Sequence, residues 1–133
     1  MSKFEIIPHK KAGDISFQLT RDAVRKLLGE FKEFKKSKSS TKTTDDFKFC
    51  HVFYDNADKV EAVEFFEDNE LVYEGKNLFS MSYNELLQLV KEKKFNYKEE
   101  GPGVIIENIG IAAYAPNKRE IESVLVYRKG YYD

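Results

Sequence analysis

The spacing of apolar and polar residues predicts two short amphipathic helices set among many short strands. Apolar stripes at i, i+3 and i+4 occur at Val24, Leu27, Leu28 and Phe31, and again at Leu86, Leu89 and Val90. Thr20 is a good N-cap for the first helix, and Gly29 is placed to end it. Residues 82–85 read Ser-Tyr-Asn-Glu, a capping box that predicts the start of the second helix.

Apolar runs bounded by turn residues predict the strands. The runs cover residues 4–7, 47–54, 60–66, 71–73, 104–107, 109–114 and 121–127. Residues 35–46 contain no apolar side chain, and we interpret them as a mobile surface connection or a ragged edge hairpin. The alternative is a basic arm that touches a partner.

This pattern occurs twice. Residues 13–28 match residues 75–90 at an offset of 62, and residues 60–66 match residues 121–127 at an offset of 61. Internal repeats determine an architecture, so we predict a single domain, 1–133, built of two repeats at about 1–70 and 71–133. The predicted fold class is α+β: two tandem helix-plus-antiparallel-meander repeats share one sheet, with the helices on one face.

The duplication also assigns the faces of the strands. Positions that are apolar in both copies belong to the core, as for Val63 with Val124 and Phe65 with Val126. Because side chains alternate along a strand, their neighbours point the other way. The face away from the helices is then expected to carry Phe49, His51, Phe53, Glu64, Phe66, Tyr114, Leu125 and Tyr127.

A face this rich in aromatic side chains is typical of a surface that binds another protein. Its expected anchors are Phe53, Phe66, Tyr114 and Tyr127, with Glu64 as the charged contact. The alternative is that this face is also buried, under a loop, a terminal segment or a second copy of the chain.

Composition narrows the classes of partner and compartment. The chain has 22 basic and 23 acidic residues, a net charge of −1, so we expect neither nucleic acid nor a membrane as partner. One cysteine forms no internal disulfide. The sequence shows no secretory signal pattern and no apolar run of about 20 residues, and we expect a cytoplasmic protein.

No reaction chemistry is indicated. Cys50 and His51 are adjacent, but on a strand they point to opposite faces and cannot form a thiol–imidazole pair. The two histidines, His9 and His51, lack metal-site spacing. We therefore predict no catalytic residue, no metal site and no cofactor, and a protein that is not an enzyme.

The motif Phe-x-[Leu/Met]-[Thr/Ser]-x-x-x-[Val/Leu]-x-x-Leu-[Leu/Val] lies at residues 17–28 and 79–90. Followed each time by a strand meander, it resembles the tandem helix-plus-sheet repeats of the beta-lactamase inhibitor protein. It is also similar to the single repeat of the small lipoproteins of the outer-membrane barrel-assembly machinery. The resemblance implies a non-catalytic protein that grips another protein with its sheet.

We therefore expect a non-enzymatic protein-binding module, a monomer or weak homodimer. Its specific form would be an inhibitor or immunity protein that neutralises a partner toxin or enzyme. The alternative is a small-molecule- or lipid-binding domain, or an unrecognised enzyme that uses a cavity beside the sheet.

Overall fold

The computed structural model describes residues 3–35, 37–39 and 42–132. The first half contains β1 (Lys3–Ile7), β2 (Lys11–Ala12), β3 (Ile15–Ser16), α1 (Arg21–Leu28), β4 (Lys32–Lys35), β5 (Thr43–Asp46), β6 (Cys50–Tyr54) and β7 (Val60–Phe66). The second half contains β8 (Glu70–Tyr73), β9 (Lys76–Asn77), a 3-10 helix (Leu78–Ser80), α2 (Tyr83–Glu92), β10 (Tyr97–Glu100), β11 (Gly103–Ile106), β12 (Ile111–Tyr114) and β13 (Ser123–Tyr127).

Both helices begin at the caps that the sequence predicts. The Thr20 hydroxyl accepts a hydrogen bond from the Ala23 N–H at 3.3 Å, and the Gly29 N–H closes α1 on the Arg25 carbonyl. At α2 the Glu85 N–H donates to the Ser82 hydroxyl at 3.1 Å, while the Glu85 carboxylate accepts from the Ser82 N–H at 2.9 Å. These bonds satisfy N–H groups that a helix start leaves unpaired.

The larger sheet has eight antiparallel strands in the order β10-β11-β12-β13-β7-β6-β5-β4. Its two middle strands, β13 and β7, pair with Leu125 opposite Glu64, so that Tyr127 faces Ala62 and Ser123 faces Phe66. The register is therefore symmetric about the pair Glu64–Leu125. The repeat matches Ala62 with Ser123 and Phe66 with Tyr127, and in the sheet Ala62 lies opposite Tyr127 while Phe66 lies opposite Ser123. This symmetric register supports the predicted duplication, which stays a prediction.

The smaller sheet has five strands in the order β3-β2-β1-β8-β9. Its centre is a parallel pair, β1 with β8, in which Phe4 lies opposite Leu71. β1 and β8, the first strands of the segments that lead to α1 and α2, are therefore paired with each other.

The predicted fold class is wrong. In place of two helix-plus-meander repeats that share one sheet with helices on one face, the described residues form mostly strand, with two α-helices and two separate sheets. The cause lies in the segments ahead of the helices. Their backbone groups need partners, and β1 finds them in β8, across half the chain, rather than at an edge of the meander.

The main hydrophobic core joins both sheets and both helices. Fully buried side chains include Ile15 and Leu71 from the smaller sheet, Val24 and Leu86 from the helices, and Phe65 from the larger sheet. The inward positions predicted from the repeat are confirmed, because Val63, Phe65, Val124 and Val126 all belong to this core.

Within residues 35–46, the described part is an edge hairpin. β4 pairs with β5 from Lys32 opposite Asp46 to Lys35 opposite Thr43. The edge hairpin is one of the two forms predicted from sequence, but two of its side chains are buried, with Thr44 2% and Asp45 0% exposed. Residues 36, 40 and 41 lie outside the described residues.

Neither helix among the described residues has the length and apolar character needed to cross a membrane.

Candidate functional site

The eight-stranded sheet has a face whose side chains do not enter the main core, which we call the outer face. In register, one row of this face crosses every strand: Lys32, Asp46, His51, Glu64, Leu125, Ala112, Ile105 and Lys98. Directly opposed residues of paired strands lie on the same face. The row is ionisable over β4 to β7 and apolar over β13, β12 and β11.

A groove of about 670 Å³ lies over the apolar half of the outer face. Its apolar lining includes Phe66, Ile105, Ala112, Tyr114, Leu125 and Tyr132. Tyr114 is 45% and Tyr132 48% exposed, which is high for such large rings.

The groove is a depression because small residues form part of its lining. Ala112, Gly103 and Ser123 all line it. A Cβ atom on Gly103 would lie 2.9 Å from the Ala113 carbonyl oxygen, so the backbones of β11 and β12 meet here without room for a side chain. Larger residues at these positions would fill the depression.

The charged groups that line the groove are all carboxylates: Glu64, Glu100 and Glu122. Among the described lining residues none is lysine, arginine or histidine. Glu64 lies 3.8 Å from His51, whereas Glu100 and Glu122 are exposed and have no ion-pair partner within the described chain.

His51 lies beside the groove, between two aromatic rings and two carboxylates. Its ring centroid is 5.1 Å from that of Phe34 and 4.9 Å from that of Phe66, both in edge contacts. Its ring nitrogens are 3.5 Å from Asp46 and 3.8 Å from Glu64. The aromatic contacts orient Phe66 at the border of the groove.

Two of the predicted anchors, Phe53 and Tyr127, are buried in a second, smaller cluster on the outer face. They pack with Ala62 and are 7% and 4% exposed. Tyr131 and Tyr132 cover Tyr127, with ring centroids at 5.8 and 4.9 Å. Burial, with the nearby Glu107 charge, raises the pKa of Tyr127 to about 12. A terminal segment thus covers this end of the face, which was the alternative stated from sequence.

Phe49 lies on the other side of the sheet from the remaining predicted residues. It stacks on Phe4 at 5.4 Å between centroids and packs against the main core. The alternation fails because the chain turns before β6, with Lys48 at φ 78° and its N–H donated to the Asp46 carboxylate. The predicted set is therefore divided: His51, Glu64, Phe66, Tyr114 and Leu125 meet at or beside the groove.

The contact residues predicted from sequence do not include Ile105, Ala112 and Tyr132. The alternation along β11 and β12 carried the signal for the first two, because Ile105 lies opposite Ala112 and Ala112 opposite Leu125. Tyr132 follows the last strand in a turn, where no periodic signal exists.

The sequence analysis also missed an ionic cluster on the side of the larger sheet that faces the helices. The buried Asp45 carboxylate accepts two hydrogen bonds from Arg25 at 2.8 Å and one from the Tyr54 hydroxyl at 2.9 Å. Arg21 lies 3.4 Å from the same carboxylate, with its guanidinium over the Tyr54 ring. The hydrogen bonds to Asp45 raise the pKa of Arg25, while burial and then Asp45 raise the pKa of Tyr54. This cluster fastens α1 to β5.

Cys50 and His51 lie on opposite sides of β6. The Cys50 thiol is fully buried in the main core, and burial raises its pKa. Within the described ranges, no group of three or more histidine, cysteine or acidic side chains is arranged to hold a metal ion.

Comparison of the chain with protein-family models, with curated proteins and with solved structures found no match.

Proposed function

We propose that this protein is a binding module that engages another protein through the groove on its outer face. The observation that carries the proposal is an open apolar groove, about 670 Å³, over an antiparallel sheet and bordered by two half-exposed tyrosines. Exposed apolar surface that is contiguous and rimmed by charge marks interaction sites. Tyrosine and phenylalanine are enriched at the centres of such interfaces.

The contact residues that fit this proposal are Phe66, Tyr114, Leu125 and Tyr132, with Glu64 as the charged contact. Phe53 and Tyr127 would support the face from beneath rather than touch a partner, because both are buried. Phe66, Tyr114 and Leu125 are presented by paired strands, so that little conformational freedom of their backbone is lost on binding, whereas Tyr132 lies in the turn that follows β13.

The specific form that we propose is an inhibitor or immunity protein that covers the functional site of a toxin or enzyme. The resemblance of residues 17–28 and 79–90 to repeats of the beta-lactamase inhibitor protein supports this form. The support comes from the sequence motif alone, because the helix-plus-meander fold that the resemblance implied is not the observed one.

A small-molecule site is the second candidate, and the observation that favours it is volume. The groove falls within the roughly 300–1,000 Å³ range of ligand pockets. Such pockets also enclose most of the ligand and present several convergent polar groups, whereas here the charged lining is three carboxylates on an open groove.

Affinity capture from the native host tests the proposal, with wild-type protein compared with Leu125→Ser and Tyr114→Ala. As a matched control, Leu27→Ser changes an apolar residue on α1 that is 46% exposed, close to the value for Tyr114. We expect a protein that is retained by wild type and by the control but lost with the groove variants. With purified partner, Tyr114→Ala should weaken binding roughly 30-fold.

Circular dichroism must show that all variants are folded. Equal capture by the wild type and both folded groove variants would contradict a role for the groove. Retention of a small molecule, detected by native mass spectrometry and lost in the same variants, would favour the second candidate.

A further inference from the structure

The groove carries charge of one sign. Glu64, Glu100 and Glu122 line it, and no lysine, arginine or histidine is among its described lining residues. Lys98 lies on the same row of the outer face but beyond Ile105, beside a neighbouring depression.

This charge is not a general property of the molecule, whose net charge is −1. Several carboxylates elsewhere are paired, such as Asp45 with Arg25, Glu74 with Lys93, and Asp55 with Arg128. Glu100 and Glu122 have no ion-pair partner within the described residues. Three carboxylates with no cationic side chain among the described lining residues give the groove a negative potential, and potentials of this kind select partners of opposite charge.

Two of these carboxylates, Glu64 and Glu100, lie on strands that are far apart in the sheet. Glu64 is on β7 and Glu100 on β10, with β13, β12 and β11 between them. At about 4.8 Å per strand, the two lie roughly 19 Å apart across the sheet. The surface between them is apolar, with Leu125, Ala112 and Ile105 in register.

We propose that the groove receives a cationic segment of a partner protein, with lysine or arginine side chains flanking an apolar centre. The inference rests on the proposed function and adds the chemistry of the partner. The apolar centre would cover Leu125 and Ala112, while the flanking cations would meet Glu64 on one side and Glu100 on the other. Tyr114 and Tyr132, each about half exposed, lie where their rings could also contact these cations. A second copy of this chain that docks groove to groove is disfavoured as occupant, because both grooves carry the same charge.

Synthetic twelve-residue peptides provide the probe. Three libraries share a randomised apolar centre and differ only in flanks of lysine, glutamine or glutamate. Binding to the full chain is measured by fluorescence anisotropy at about 50 mM and about 300 mM salt. We expect the lysine library to bind at least tenfold more tightly than the glutamate library, and to weaken as salt screens the charges.

The decisive variant combines Glu64→Gln, Glu100→Gln and Glu122→Gln. Its matched control combines Glu5→Gln, Glu30→Gln and Glu92→Gln, which changes net charge equally at exposed positions that do not line the groove. The groove variant should lose the preference for lysine flanks, roughly 2- to 5-fold per glutamate. The control should keep it.

Each other result overturns the inference. Equal loss in both triple variants would mean attraction to net charge alone, and equal binding of all three libraries, or of none, would mean that the groove does not select cations. The proposed function is judged separately by host capture with Leu125→Ser and Tyr114→Ala. It can therefore survive the failure of this inference, and it fails only if those variants keep the partner.

Discussion

At the scale of single residues, the dominant feature is a carboxylate that is wholly buried and fully hydrogen-bonded. Asp45 is 0% exposed, and its partners Arg25, Arg21 and Tyr54 come from α1 and β6. A buried charge is tolerated only when it is paired and its lone pairs are satisfied. The stability of the β4–β5 edge therefore depends on side chains that are distant in sequence.

Replacement of Arg25 tests this dependence. Arg25→Ala removes both bonds of 2.8 Å from Asp45 and leaves a buried carboxylate with weaker partners. We expect the free energy of unfolding to fall by about 3 kcal/mol. Lys26→Ala, at the exposed neighbouring position, should change it by less than about 0.5 kcal/mol. Urea denaturation of both variants measures the difference, and equal effects would contradict the pairing.

Two buried tyrosines form a second matched test, because their hydroxyl groups differ in hydrogen bonding. The Tyr54 hydroxyl donates to Asp45 at 2.9 Å, whereas that of Tyr127 has no hydrogen-bond partner among the described residues. Tyr54→Phe should lower stability by about 1–2 kcal/mol, because Asp45 loses a donor. Tyr127→Phe should leave stability unchanged or raise it by up to about 1 kcal/mol. Thermal melts that show the opposite order would refute the assignment.

At the scale of elements, the turn before β12 is held by a close approach that only glycine allows. Gly110 has φ +65°, and a Cβ atom there would lie 2.7 Å from the Tyr127 carbonyl oxygen. The Gly110 carbonyl in turn accepts from the Tyr127 N–H at 2.8 Å. This turn fixes β12 against β13, and so the relative position of Ala112 and Leu125 in the groove.

Gly110→Ala should therefore cost about 3 kcal/mol, the sum of left-handed strain and a backbone clash. Gly101 is the control, because it has φ +55° but a Cβ atom added there would meet nothing within 4 Å. Gly101→Ala should cost only about 1 kcal/mol. Denaturation midpoints of the two variants separate strain from clash, and similar midpoints would exclude the clash.

Local patterns predicted elements well where the determining contacts are themselves local. The helix caps at Thr20 and Ser82 depend only on residues within the first turn of each helix. The inward side of β7 and β13 can be predicted from the alternation of side chains along each strand. The division into two sheets did not follow, because the pairing of β1 with β8 joins segments far apart.

The candidate site shows the same limit. Alternation brought Phe66, Tyr114 and Leu125 to one face, but it failed at Phe49, where Lys48 adopts a left-handed conformation. The burial of Tyr127 depends on a turn with no periodic pattern, and that of Asp45 on arginines more than a helix length away in the chain.

At the scale of the whole molecule, the main core and the proposed binding surface occupy opposite sides of one sheet. The helix side holds the main core and the Asp45 cluster, where charges are paired. The outer face holds the groove, where carboxylates and aromatic rings are exposed. Residues of the groove can therefore change with little effect on folding, which is the condition for a surface to be specialised for a partner.

The most direct test of the binding proposal is hydroxyl-radical footprinting of the protein, free and in complex with the partner recovered from the host. Tyr114 and Leu27 are almost equally exposed, at 45% and 46%, on the outer face and on α1. We predict that the complex protects Tyr114 from oxidation several-fold and leaves Leu27 unchanged. Unchanged oxidation of Tyr114 in a saturated complex, with protection at Leu27 or elsewhere on the helix side, would contradict the account.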